Sequence, residues 1–197
     1  MWRPEAMPDT TPGEGVSKLP PLDSPDANPV VAEMFNSLTR SGARILNVHR
    51  TLAHAPHVLK GWGGLSRSLR HDSKLDRALC ELAIMRQSQL MKSDYEWYVH
   101  RAMCRTIGMP DEKIDEMANW EASEVYTDVE RLVLRYTDAV VSGHDVDPAL
   151  FAEVLAKFGT KEFVELTATI CYFIGTSFLL NTLGVRVGEE ESKLNPG

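Results

Sequence analysis

From Pro29 onward, apolar residues recur at three- and four-residue intervals. They show no convincing alternation of period two, so the pattern predicts helices throughout. Val30, Val31, Met34, Phe35 and Leu38 form a first stripe. A second helix is predicted over 47–59, broken or offset by Pro56, and a short third over 60–69. Leu75, Leu79, Leu82, Ala83 and Leu90 mark the buried face of a long helix over 74–91. Ser93 opens another that Gly108 ends. Pro110 begins a helix, with Asp111 and Glu112 suited to its positive end. Thr127 and Glu130 have capping-box spacing for a helix that ends at Ser142 and Gly143. Asp147 and Pro148 start a further helix that runs to Gly159, and Thr160 caps the last and most apolar one. The expected fold is all-α, a single-domain helical bundle.

Three regions are expected. Residues 1–28 read as an extended N-terminal arm, since 1–29 hold seven prolines. Residues 29–185 form the helical domain, and 186–197 a charged, frayed C-terminal tail. No signal peptide is read at the N-terminus. The stretch from Leu166 to Val185 carries no charge and has the length of a membrane span. It also holds Thr167, Thr169, Thr176, Ser177, Asn181 and Thr182, and it follows Glu162 and Glu165 rather than a basic cluster. A helix buried in the core or at a subunit contact is predicted there, and no membrane partner.

The 197 residues suffice for one sizeable core. A formal charge of -7 argues against nucleic acid or an anionic membrane as the main partner. Cys80, Cys104 and Cys171 are odd in number and far apart, without a CxxC pair or zinc-finger spacing. They read as reduced thiols packed as small hydrophobes, which points to a reducing, cytoplasmic setting.

The chemistry concentrates in 81–100. Glu96 and His100 are four apart on one helix and therefore neighbours. Glu81 lies ten or so residues before the break at Lys92-Ser93, and His100 about seven after it. In a back-folded helical hairpin, rises of roughly 15 Å and 10 Å from the turn bring them to similar depth. Two carboxylates beside one imidazole have the ingredients of proton transfer: pKa values pushed apart and a fixed tautomer. A plainer reading stands beside this one. Ser93-x-x-Glu96 is itself a capping box, His100 a satisfied core histidine and Glu81 a solvated face residue. Against it, Glu81 lies between Cys80 and Leu82-Ala83-Ile84, close to the apolar stripe, where a carboxylate needs a partner.

The segment resembles the carboxymuconolactone decarboxylase and alkylhydroperoxidase D-like superfamily. The peroxidase branch has a Glu, a Cys-x-x-Cys and a His four residues beyond the second Cys. The Glu falls on Glu81 and the His on His100, while Ser93 and Glu96 stand at the two thiol positions. The form Tyr95-Glu96-Trp97-x-x-His100 is similar to the non-redox, decarboxylase-like branch. The resemblance takes in the run from Arg50 to Pro56 and Asn181-x-Leu-Gly184. It implies an AhpD-like helical fold that assembles as a homo-oligomer, trimer or hexamer, with sites near subunit contacts and a small-molecule substrate. It also implies a lyase or isomerase that needs no cofactor: an unsaturated carboxylated lactone is its own electron sink, so the protein positions it and moves one proton.

On this reading His100 is the general acid/base, with Glu96 or Glu81 orienting it. Tyr95 and Trp97 wall the pocket. Arg50 and His54, four apart, hold a substrate carboxylate, and Asn181 is a further contact that needs a hydrogen-bond partner. For these five, core packing or surface exposure is the competing account. Arg86, five residues beyond Glu81, is expected to point elsewhere. A metal held by Glu81, Glu96 and His100 is disfavoured because a second histidine at suitable spacing is missing. Two further readings remain: a thiol peroxidase using Cys104 or Cys80, and a non-catalytic scaffold of the same fold.

Overall fold

The computed structural model describes residues 17–22, 28–143 and 145–194. Most of the arm expected over 1–28, together with 195–197, lies outside the described residues. Among the described residues there is no strand, and the fold is all-α. The helices are α1 (Pro29–Arg40), α2 (Asn47–Leu52), α3 (Pro56–Arg67), α4 (Arg77–Leu90), α5 (Asp94–Thr106), α6 (Asp111–Asp115), α7 (Asp128–Val141), α8 (Pro148–Leu183) and α9 (Glu189–Ser192). A π-helical turn, Ser68–Asp72, follows α3, and a 3-10 turn, Glu116–Asn119, follows α6.

The ends of these helices follow from local chemistry. Asn28 accepts from the Val30 and Val31 amides, Asp76 from Ala78 and Leu79, and Asp147 from Ala149 and Leu150. Thr127 and Glu130 close the expected reciprocal box. Gly159, at φ 71° and ψ 168°, breaks the helical path inside α8, so its two halves are separate helices joined at a kink. Pro56 does more than offset a helix. It ends α2 three residues earlier and opens α3 at a first-turn position that needs no N–H, and α3 absorbs the short third helix expected over 60–69.

α4 is the central helix, packed against α5, α7 and α8. Every residue from Cys80 to Gln89 is buried, so this helix is enclosed on all sides rather than striped. Its Arg86 is held by a two-pronged ion pair to Asp138 of α7, with Nε–Oδ1 2.5 Å and Nη2–Oδ2 2.8 Å, and it also donates to Gln89 and to the Met117 carbonyl. Arg86 thus points away from Glu81, as its offset implies.

α4 and α5 fold back through Lys92, a non-glycine residue at φ 51°. The Asn181 amide donates to the Met91 carbonyl at 3.3 Å and braces this turn. The second half of α8 lies against α4. One 18-residue window of α8 has a mean hydropathy of 1.6, enough by composition for a membrane span, yet half of it is buried inside the fold. What it leaves uncovered is an apolar stripe at Val164, Cys171 and Phe178, the last 61% exposed.

The C-terminal segment differs from the frayed tail expected. Val185, Val187 and Leu194 pack with Leu46, Tyr95, Val99 and Leu180. Glu191 is wholly buried, accepting from the Tyr95 hydroxyl at 2.6 Å, the Gly188 amide at 2.9 Å and the Asn47 amide. Charge density in the sequence suggested solvent; these three donors explain why one carboxylate of the run goes inside.

Candidate functional site

The α4–α5 hairpin sets Glu81 and His100 side by side. His100 Nδ1 lies 2.7 Å from Glu81 Oε2, and Glu81 is fully buried. The other Glu81 oxygen accepts from Arg77, one turn earlier on α4. Across the ring, Nε2 faces Glu96 Oε2 at 3.4 Å, from one turn earlier on α5. Phe173 of α8 meets the imidazole edge-on, at 5.0 Å between centroids and 84° between planes. His100 and Glu96 are each only 4% exposed. The two carboxylates and the imidazole selected from spacing are therefore brought together, buried between the helices.

The carboxylates sit in opposed electrostatic settings. Burial alone would push the Glu81 carboxyl up. The facing His100 ring, its hydrogen bond, and the Arg77 and Arg70 guanidiniums outweigh this and hold Glu81 below the ordinary carboxylate range. Burial is also the largest influence on Glu96, and there it prevails over the pull of His100 and Arg70 and lifts the carboxyl above that range. An ionised Glu81 only accepts, so Nδ1 must carry a proton and donate it, which leaves Nε2 to exchange protons on the Glu96 side.

Ser93 caps α5 by position but makes no side-chain capping bond, so the expected Ser93–Glu96 box does not form. Instead Ser93 Oγ and Glu96 Oε2 are both buried without a hydrogen-bond partner. The two oxygens lie one turn apart, at the positions where the peroxidase branch of the resembled superfamily carries its dithiol.

The remaining expected site residues lie elsewhere. The Tyr95 hydroxyl donates to Glu191 and accepts from the Val48 amide at 3.1 Å, locking the C-terminal segment instead of walling a pocket. Trp97 packs on the opposite side of α5, with Leu82, Met85, Cys104 and Met117. Arg50 Nη1 donates to the Leu22 carbonyl at 3.2 Å, and His54 Nε2 lies 2.8 Å from the Pro20 carbonyl. Both hold segment 17–22 against the domain. Asn181 is committed to the α4–α5 turn. Among the described residues, no group of three His, Cys, Asp or Glu side chains has metal-binding geometry.

Two groups were missed. His49, next to Arg50, has Nδ1 accepting from the Leu46 amide at 3.0 Å. Burial, aided by the nearby Arg70 guanidinium, lowers its pKa to about 4. It is thus neutral with its proton on Nε2, an N–H donor. Arg70 itself lies on the π-helical turn. A lone arginine between Leu69 and His71 gives no periodic signal; only the fold brings it near the carboxylates.

Residues 56–139 match the carboxymuconolactone decarboxylase family. Among solved structures, the fold recurs in a peroxidase-related protein of Ralstonia eutropha JMP134 with an alkylhydroperoxidase AhpD core, at 22% identity and TM-score 0.76, over 91% of this chain and 96% of that one. It recurs in a peroxidase-related protein of Silicibacter sp. TM1040, at 18% identity and TM-score 0.75, over 95% and 100%. The debrominase Bmp8, solved with 2,3,4-tribromopyrrole, has TM-score 0.70 at 19% identity, over 94% and 97%. No curated protein matches the chain. The family match covers 56–139, under half of the chain, and the solved structures share its all-α AhpD-like fold; one of them is a debrominase.

Proposed function

We propose that the protein is a cofactor-independent lyase or isomerase of the non-redox branch, moving a proton on a small carboxylated lactone or aromatic-derived ring. The observation that carries this is the placement of His100 between two buried carboxylates, Nδ1 on Glu81 at 2.7 Å and Nε2 facing Glu96 at 3.4 Å. His100 Nε2 is the acid/base. Glu81 fixes the tautomer and steadies the imidazolium once it forms, and Glu96 supplies or receives the proton. In the lyase form, the bond to the departing carboxylate breaks, CO2 leaves, the electron pair spreads into the unsaturated lactone and a carbon takes the proton. In the isomerase form, one carbon loses a proton to Nε2 and another regains it. A five-membered ring bound to a debrominase of the same fold fits a substrate of that size.

The thiol reading has weaker support. Burial pushes Cys80 to about 11 and Cys104 higher still, which disfavours the thiolate that peroxide reduction needs. The scaffold reading expects Tyr95 and Trp97 packed beside His100; the Tyr95 hydroxyl instead bonds Glu191 and the Val48 amide, and Trp97 packs with Leu82, Met85, Cys104 and Met117. Assembly as a trimer or hexamer in the cytoplasm belongs to the same proposal. Its support is the seven-residue spacing of the exposed Val164, Cys171 and Phe178 on one uncovered face of α8. Phe178→Asp is expected to shift sedimentation toward a smaller species.

The test is a panel of unsaturated lactone and ring carboxylates in D2O, followed by NMR for deuterium incorporation and CO2 loss. Turnover that disappears in His100→Ala with helical circular dichroism intact is expected; full turnover in that variant sinks the proposal.

A further inference from the structure

His100 and Glu96 are each only 4% exposed and Glu81 is fully buried, so a substrate reaches the imidazole only when some element moves. A run of touching rings leads outward from it. Phe173 meets the His100 ring edge-on with centroids 5.0 Å apart, Tyr172 meets Phe173 edge-on at 5.0 Å, and Trp62 of α3 lies tilted on Tyr172 at 5.2 Å. Trp62 is the outer end of that run and is partly exposed.

The segment that carries Trp62 is weakly held. Leu59 and Leu69 are buried, but no residue from Lys60 to Ser68 between them is. Trp62 ties this stretch to α8: its Nε1–H donates to Thr176 Oγ1 at 3.1 Å, its carbonyl accepts from the Tyr172 hydroxyl at 3.1 Å, and its ring edge lies against Gly175. The helix itself is intrinsically poor. Three of the twelve residues of α3 are Gly61, Gly63 and Gly64, and glycine inside a helix is less favourable than alanine. Neither conformation nor space demands glycine at 61 or 64: both lie within the helix, and a Cβ on either would meet nothing within 4 Å. No side chain caps the first turn of α3, and its far end passes into the π-helical turn Ser68–Asp72, an irregularity of a kind often found at functional sites. α4 beneath is the opposite, enclosed from Cys80 to Gln89.

We propose that the stretch from Lys60 to Ser68 is a lid over the His100 site, latched by Trp62, which opens as Trp62 leaves Tyr172 and Thr176 while α4, α5 and α8 stay in place. The proposal rests on the acid/base reading above and adds the gate to that site. Leu59 and Leu69 anchor the two ends, and the glycines beside Trp62 supply the give between them. Opening bares the Tyr172 and Phe173 rings and, past them, the edge of the imidazole. Closing returns His100 and Glu96 to a setting without bulk water, where the proton stays between substrate and protein. Glycine at 61 and 64, which packing does not require, keeps the closed helix from being too stable to open.

The test is the rate at which diethyl pyrocarbonate modifies His100 in the native full chain, mapped by mass spectrometry, with exposed His57 as the internal reference. His100 should react more slowly than His57. Trp62→Phe keeps a ring but loses the Nε1 bond, and should speed His100 about fivefold, the equivalent of one hydrogen bond. Gly61→Ala combined with Gly64→Ala should slow it about tenfold by stiffening the helix. Ile114→Val, in the separate cluster around α6, is the control for global unfolding: it should lower the urea midpoint and leave the His100 rate unchanged. A His100 rate that Trp62→Phe does not raise, that the glycine replacements do not lower, or that Ile114→Val raises as far as Trp62→Phe does, overturns the lid. None of these results touches the turnover test of His100→Ala, so the two proposals fail separately.

Discussion

Glu96 should cost the fold stability that its neutral replacement restores. Its carboxyl is buried, one oxygen has no hydrogen-bond partner, and burial raises its pKa. A group whose pKa is higher in the folded than in the unfolded chain helps the fold while it is protonated in both states, below about pH 4, and loses that contribution as pH rises through its folded value. Glu96→Gln keeps the shape, removes the charge and offers an amide N–H to His100 Nε2. Relief of one unpaired buried polar oxygen is worth about 1–3 kcal/mol. For a chain of this length that corresponds to a rise in Tm of about 2–12 °C. Differential scanning fluorimetry across pH is the assay. The variant should melt higher at about pH 8, and the gap should close toward about pH 4. Glu81→Gln supplies the opposite sign: the folded pKa of Glu81 is lowered, so its contribution is present above the unfolded value and lost as pH falls. That variant should melt lower at about pH 8, with the deficit shrinking in acid. A Glu96→Gln protein that melts lower at about pH 8, or two variants with the same sign, would refute the assignment of opposed roles to these carboxylates.

Three further outcomes are expected. His49, at about 4 in the fold against 6.5 when unfolded, takes up a proton on unfolding between those values, so stability should fall as pH drops from 6.5 toward 4; His49→Gln should flatten that limb of the urea-denaturation profile. Tyr95→Phe removes a donor to buried Glu191 and the acceptor for the Val48 amide, at a cost of about 1–3 kcal/mol, and should speed amide exchange over 185–194 first in hydrogen–deuterium mass spectrometry. Buried Cys80 and Cys104 should react with a thiol reagent only after unfolding; rapid native reaction of either would reopen the thiol chemistry.

How far the sequence spoke depended on the range of the interactions involved. Helix periodicity, the Thr127–Glu130 box and the Asp147 cap are local, and they read correctly. The meeting of Glu81 with His100 was legible because a hairpin of two long helices makes depth a matter of counting residues from the turn. The Ser93–Glu96 box failed although its spacing was right: Glu96 turns to His100 one turn on, inside a helix start that is buried rather than solvated. Arg50 and His54 turn to segment 17–22 and His49 turns inward because α2 has only six residues, too few for a stripe to fix its face, and one residue rotates the side chain by about 100°. Arg70 and Glu191 were invisible for a different reason. Their surroundings come from segments tens of residues or more away, and nothing beside them in the chain marks one as a cation near two carboxylates or the other as a buried anion.

The replacement of two thiol positions by Ser93 and Glu96 has a consequence for mechanism. The first turn of α5 projects the positive end of a helix dipole, a setting that would favour a thiolate, and would favour an ionised carboxylate as well. Glu96 occupies that turn and its pKa still moves upward, so loss of water outweighs the pull of His100 and Arg70. Glu81, as thoroughly buried, moves downward because it has Arg77 and His100 in direct contact. What separates the two acids is therefore their partners rather than their depth. One imidazole held between an acid that keeps its charge and an acid that resists charging has a fixed tautomer on one side and a proton source on the other.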